Sequence, residues 1–117
     1  MFYQVSPSQL DAWREQCASD SAQALPVLLD VREHWEHALA NAVKDTRFAH
    51  VHIPMAEVPA RLSELDPQRP IACLCHHGAR SMSVASYLAQ HGFAQVANVM
   101  GGIDAWATEC DPTMPRY

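Results

Sequence analysis

Cys75-His76-His77-Gly78-Ala79-Arg80-Ser81 is the stretch whose residue types could do covalent chemistry. It stands where an apolar run, Ile71-Ala72-Cys73-Leu74, passes into a helix-patterned segment from Met82 to Gln90. A cysteine at the end of a buried strand, followed by a tight loop that opens a helix, is well placed to act as a thiolate. Backbone N–H groups of such a loop point inward, and the helix N-terminus carries partial positive charge. Arg80 would add a full charge at the loop's end, since a guanidinium stays protonated at working pH. Surroundings of this kind lower a cysteine pKa from about 8.5 to roughly 3.5–7.5. The spacing therefore predicts Cys75 as a nucleophile that the rest of the chain holds in place.

The elements that would position it can be read in order. Phe2 to Val5 is a short strand, followed by a helix start: Ser6 as cap, Pro7 at the first helical position and Gln9 closing a capping box. Val5 and Leu10 stand as a hydrophobic staple, and Leu10, Trp13 and Cys17 share a face, so Cys17 reads as a small core residue. Val27 to Val31 is apolar on both faces, as in a strand buried within a parallel sheet. Asp30 and Arg32, at its carboxyl end, read as structural support: a carboxylate accepting local N–H groups and an arginine tying down a loop. A helix over Glu33 to Ala40 carries Trp35 and Leu39 at i, i+4.

Residues 41–50 read as loop, with a brief strand near Val51, and Ile53 must be extended because Pro54 follows it. Pro59 opens a helix over Ala60 to Leu65, and Ile71 to Leu74 is the central strand. The helix after Ser81 ends at Gly92, with Phe93 packing back on Leu88. Val96 to Val99 is the last strand, and Gly101-Gly102 leads into a short helix bearing Ile103 and Trp106. Strands and helices alternate with short links, which predicts an α/β fold with a mainly parallel sheet and helices on both faces. Ligands of such folds gather at the carboxyl ends of the strands, where Asp30 and Cys75 both fall. The expected organisation is one domain over residues 1–117, with a core of about 2–107 and a loosely held tail over 108–117.

Composition narrows the function. Of 117 residues, 49% are apolar and 18% charged, which is the balance of a folded domain. The net charge of −5 argues against a nucleic-acid partner. No apolar run reaches the roughly 20 residues that span a bilayer. The first residues lack the basic start and apolar stretch of a signal peptide. No membrane partner and a cytoplasmic, reducing location are expected. Four cysteines, Cys17, Cys73, Cys75 and Cys110, are too few and too uneven for a disulfide framework. Cys73 and Cys75 share a strand face, where a bridge would be strained. Cys73, Cys75, His76 and His77 are packed too tightly to surround one metal ion tetrahedrally.

Leu29-Asp30-Val31-Arg32 with Glu36, His52-Ile53-Pro54, Cys75 to Ser81, and Gly101-Gly102-Ile103-Asp104-Ala105-Trp106 together resemble the single-domain rhodanese family, in that order. The resemblance runs from about Val27 to Trp106. It implies sulfurtransferase activity: the loop cysteine takes the outer sulfur of thiosulfate or another sulfane donor as a persulfide and passes it to a thiophilic acceptor. That acceptor is cyanide, a thiol or a protein cysteine, and the donor is a small sulfur-containing anion or a protein. Carried over, Cys75 is the nucleophile, and the amides from His76 through Gly78 and Ala79 to Ser81 cradle the sulfur. Arg80 attracts an anionic donor, and Ser81 donates its hydroxyl or caps the helix. No cofactor is implied.

Four residues separate Cys75 from Arg80, whereas related phosphatases carry five, which widens the cradle for a tetrahedral oxyanion. The shorter loop suits a single sulfur atom. Val51 and Met55 stand where the family often has glycine. His76 and His77 serve either through their amides alone or through a ring that binds the donor or steers the acceptor. The rival readings are a non-enzymatic rhodanese-like binding module and a persulfide carrier or redox sensor. Retention of Cys75, Gly78 and Arg80 favours the enzyme.

Overall fold

In the computed structural model, which describes residues 2–17 and 25–117, five strands pair in parallel into one sheet. They are β1 (Tyr3–Val5), β2 (Val27–Asp30), β3 (Ala49–His52), β4 (Ile71–Leu74) and β5 (Val96–Val99), side by side in the order β1-β5-β4-β2-β3. The α-helices among the described residues are α1 (Leu10–Cys17), α2 (His34–Leu39), α3 (Ala79–Gln90) and α4 (Gly102–Glu109). β2 and β4 are buried along their whole length because helices cover both faces, which is why they can be apolar without alternation. One layer joins Leu10 and Trp13 of α1 and Ile103 and Trp106 of α4 to Leu28 and Leu74 of the sheet. The other packs Val84 and Leu88 of α3 on Leu29, Ile71 and Cys73.

Register sets the level of the site. Asp30 pairs with both His52 and Leu74, so the ends of β2, β3 and β4 lie at one height and Cys75 is the first residue beyond. The Ile53 amide continues the pattern, donating to the Asp30 carbonyl at 3.0 Å.

Four local expectations change. α3 begins at Ala79, three residues before the apolar pattern at Met82, because Gly78 takes φ +107° and turns the chain directly into the helix. No α-helix forms over Ala60 to Leu65; 3-10 turns at Met55–Glu57 and Leu62–Glu64 stand near it instead. In α2 the face is inverted: Trp35 and Leu39 are 61% and 51% exposed, while Glu36 is buried. The tail is packed rather than loose. Met114 is buried against the α1 and α4 layer, and Arg116 pairs with Asp104 at 2.9 Å.

Candidate active site

Cys75 is 1% exposed and its side chain belongs to the α3 face of the sheet, with Cys73 beneath it. Its Sγ accepts a hydrogen bond from the Gly78 amide at 3.1 Å, and Ser81 Oγ lies 3.3 Å away. These two donors, one main-chain and one side-chain, are the polar contacts on the sulfur itself. Ser81 Oγ is also 2.5 Å from Asn98 Oδ1. A hydroxyl has one proton, so it can serve Asn98 while accepting from a thiol, or turn to a thiolate when the sulfur is charged. Asn98 is held in turn: its Nδ2 donates to Gln4 Oε1 at 2.9 Å and to the Gly78 carbonyl at 3.2 Å.

The loop is bent by α4. The first helical turn has N–H groups with no partner within the helix, and here they find one in the loop. Ile103 N–H donates to the Cys75 carbonyl at 2.8 Å and Asp104 N–H to the His76 carbonyl at 3.2 Å. Those carbonyls are thereby drawn toward α4, and the carbonyl dipoles are kept off the sulfur. The approach needs a residue without a side chain. At Gly102, φ is +59° and a Cβ would stand 2.4 Å from both carbonyl oxygens.

Arg80 does not present a free charge. Its guanidinium makes a two-pronged ion pair with Glu36, at 2.7 and 2.8 Å. Glu36 also accepts from the Glu33 amide at 3.1 Å and from Tyr117 Oη at 2.8 Å. The Arg80 guanidinium, more than any other neighbour, holds the Glu36 carboxyl down to about 2. A carboxylate depressed in the folded state stabilises the fold above its ordinary value of 4.5 and loses that contribution as pH falls toward 2. The shift corresponds to about 3 kcal/mol. Urea midpoints measured from pH 6 to pH 3 should therefore fall more steeply for the native chain than for Glu36→Gln. Equal slopes would remove Glu36 from the acid-sensitive groups.

Arg32 is fully buried. It grips Asp30 through Nε at 2.9 Å and Nη2 at 2.6 Å, and donates to the Glu36 carbonyl, the Ala40 carbonyl and Tyr117 Oη at 3.1, 2.5 and 2.9 Å. Asp30 and Arg32 thus link the end of β2 to α2. His52 donates through Nε2 to the Arg32 carbonyl at 2.7 Å, adding β3 to that link.

His76 and His77 are brought together as rings, with centroids 3.9 Å apart. Tyr117 stacks on the other face of His76 at 3.9 Å and 10°. Ala79 and His77 line an open depression of about 410 Å³ beside the loop, with Gly78, Met82, Asn98 and Met100. Cys73 is fully buried, and burial pushes its thiol up, so it is no ready partner for exchange. Two residues that shape the site, Asn98 and Tyr117, escaped the sequence reading. Asn98 carried a signal, a polar residue inside the apolar run Val96 to Val99. Tyr117 carried none, and Glu36 was visible only as part of a motif.

Fold and loop define a class: an α/β protein with a thiol set at the carboxyl end of its central strand, inside a loop closed by two helix N-termini. The chain belongs to the Rhodanese-like domain family, which matches residues 6–109. It is 34% identical over 107 residues to a thiosulfate sulfurtransferase GlpE of Pseudomonas syringae, covering 92% of this chain and 89% of that one. A thiosulfate sulfurtransferase GlpE of Coxiella burnetii is 31% identical over 109 residues, with 91% and 88% covered. A rhodanese-related protein of Thermoplasma volcanium superposes with a TM-score of 0.71 at 25% identity, over 93% of this chain and 94% of that one. A rhodanese-like domain protein of Staphylococcus aureus has the same fold, with a TM-score of 0.71 at 22% identity and 99% of each chain covered. The family resemblance and the parallel α/β fold expected from the motifs are both borne out. No helix among the described residues is long and apolar enough to cross a membrane.

Proposed function

We propose that the chain is a sulfurtransferase that moves sulfane sulfur from a small donor to a thiophilic acceptor through a persulfide on Cys75. The observation that carries the reading is the placement of Cys75 Sγ, at a strand end and 3.1 Å from the Gly78 amide, in a chain whose relatives are named for sulfur transfer. In the first step the Cys75 thiolate attacks the outer sulfur of the donor. The donor's S–S bond breaks, its electron pair leaves with the departing group, and Cys75–S–S⁻ remains. With thiosulfate the departing group is sulfite, and charge and atoms balance. In the second step the acceptor attacks the outer sulfur of the persulfide, and the Cys75 thiolate returns.

The loop's part is electrostatic and positional. The Gly78 N–H favours negative charge on sulfur in both states and needs no reorganisation because α4 and Asn98 hold the loop already bent, while the Ser81 hydroxyl adds its proton by turning from Asn98. His76, His77, Ala79 and Arg80 supply the backbone of the cradle, while Asp30 and Arg32 support it from β2. The depression beside His77 offers a way in for donor and acceptor. Sulfur itself carries the transferred group, so the reaction calls for no cofactor. A reducing cytoplasm would supply thiol acceptors.

Incubation of the full chain with thiosulfate, followed by intact-protein mass measurement, should show a gain of one sulfur that cyanide removes. A folded chain that gains no sulfur from thiosulfate or from any persulfide would support a binding module instead.

A further inference from the structure

The charges around the loop are matched one to one. Arg80 faces Glu36, Arg32 faces Asp30, and Arg116 faces Asp104, whose own amide holds the loop carbonyl of His76. Glu36 cannot swing away when a donor arrives. It is 3% exposed and is fixed from three sides by Arg80, Tyr117 and the Glu33 amide. A dianion entering this site would shed much of its hydration without meeting an unopposed guanidinium among the described residues, and that desolvation has to be compensated to be tolerated.

The walls of the entrance point the same way. The His77, His76 and Tyr117 rings form a continuous stack, a planar surface on which an organic group can lie. The depression beside the loop is flanked by Met82 and Met100, two adaptable thioether side chains that stand exposed there. The polar side chains of the depression are Gln4, His77 and Asn98, none of them a guanidinium or ammonium that would pair with a sulfonate.

We propose that Glu36 is a specificity-determining residue: by neutralising Arg80 it sets the site for an organic persulfide, R–S–SH, in preference to the thiosulfate dianion. This inference rests on the reading of Cys75 as the sulfur-accepting nucleophile. In the preferred reaction the Cys75 thiolate attacks the outer sulfur of R–S–SH, the donor S–S bond breaks with its electron pair going to R–S⁻, and R–S⁻ takes up the proton the outer sulfur gives up, leaving as R–SH. Cys75–S–S⁻ remains. The R group lies against the ring stack and the methionine-lined depression, and Glu36 acts through Arg80 without touching the donor.

The test compares the rate at which Cys75 gains sulfur, followed by intact mass, from cysteine persulfide and from thiosulfate. The full native chain should load at least about tenfold faster from the persulfide, and Glu36→Gln should raise the thiosulfate-to-persulfide rate ratio by about tenfold. Added salt should erode that gain, since it comes from a half-buried charge newly released at the entrance, and Glu36→Gln/Arg80→Gln should abolish it. A structural role for Glu36 would slow both donors together and leave the ratio unmoved. A native chain that prefers thiosulfate overturns the proposal even where the variants do not fold. So does an unchanged ratio in a folded Glu36→Gln chain. Failure of the underlying function looks different: neither donor adds sulfur to Cys75.

Discussion

Cys75→Ser is expected to end sulfur loading while leaving the fold in place. The substitution exchanges sulfur for oxygen at a site that is 1% exposed, and the serine hydroxyl can still accept the Gly78 N–H. Stability should therefore change by no more than about 1–2 kcal/mol. Chemistry should not survive. A hydroxyl is far less acidic and less nucleophilic than a thiol, and the product would need an O–S bond in place of a disulfide-like one. Loss of a nucleophile that acts together with its surroundings commonly costs on the order of 10⁴-fold or more. The contrast is Cys73→Ala, two residues earlier on the same face, whose thiol is fully buried and pushed up by burial. That variant should lose some packing energy and keep its single added sulfur. Intact mass after thiosulfate or cysteine persulfide separates the two variants in one experiment. A sulfur gained by Cys75→Ser would displace Cys75 from the centre of the proposed mechanism.

The largest effect on stability should come from Arg32→Met. The methionine has a comparable unbranched stem but leaves Asp30 buried without its guanidinium, and it removes a donor from the Glu36 and Ala40 carbonyls and from Tyr117 Oη at once. Breaking a buried ion pair from one side typically costs about 3–5 kcal/mol, because the remaining charge is uncompensated. A denaturant titration should show that loss as a lower midpoint with little change in slope. Asp30→Asn in the same chain removes the stranded charge while keeping an oxygen for the Arg32-position amide, which Asp30 Oδ1 accepts at 3.1 Å. The double variant should recover a good part of the loss. If it is no better than Arg32→Met alone, the cost lies in the lost carbonyl contacts and not in the stranded Asp30. Because Arg32 also ties the α2 backbone at Glu36, the single variant should loosen the Arg80 clamp as well.

These effects show which parts of the site could be read ahead of the structure. The strand before Cys75 and the helix after it were legible because burial on both sheet faces leaves an apolar run, and a helix leaves a 3.6-residue period. Gly101 and Gly102 were legible as a motif, and their reason is now physical: at Gly102 two loop carbonyls occupy the space of a side chain. The α2 face was misread for a simple cause. Trp35 and Leu39 satisfied the hydrophobic pattern, yet the helix turns inward the one residue that three polar partners can satisfy, Glu36. Patterning weighs apolar residues and has no means to count hydrogen-bond partners that arrive from distant elements.

Legible from the residues alone are the order of the strands and the helix that follows the central one, and the loop of Cys75 to Ser81 with its length. Each of these is a local matter of burial period, turn chemistry or spacing along a few residues. The electrical state of the loop, by contrast, is set by the folded chain. Arg80 meets Glu36 across 44 residues, and Tyr117 meets the same carboxylate across 81. Charge compensation depends on distances in space, and the chain's order along its length carries no record of those distances.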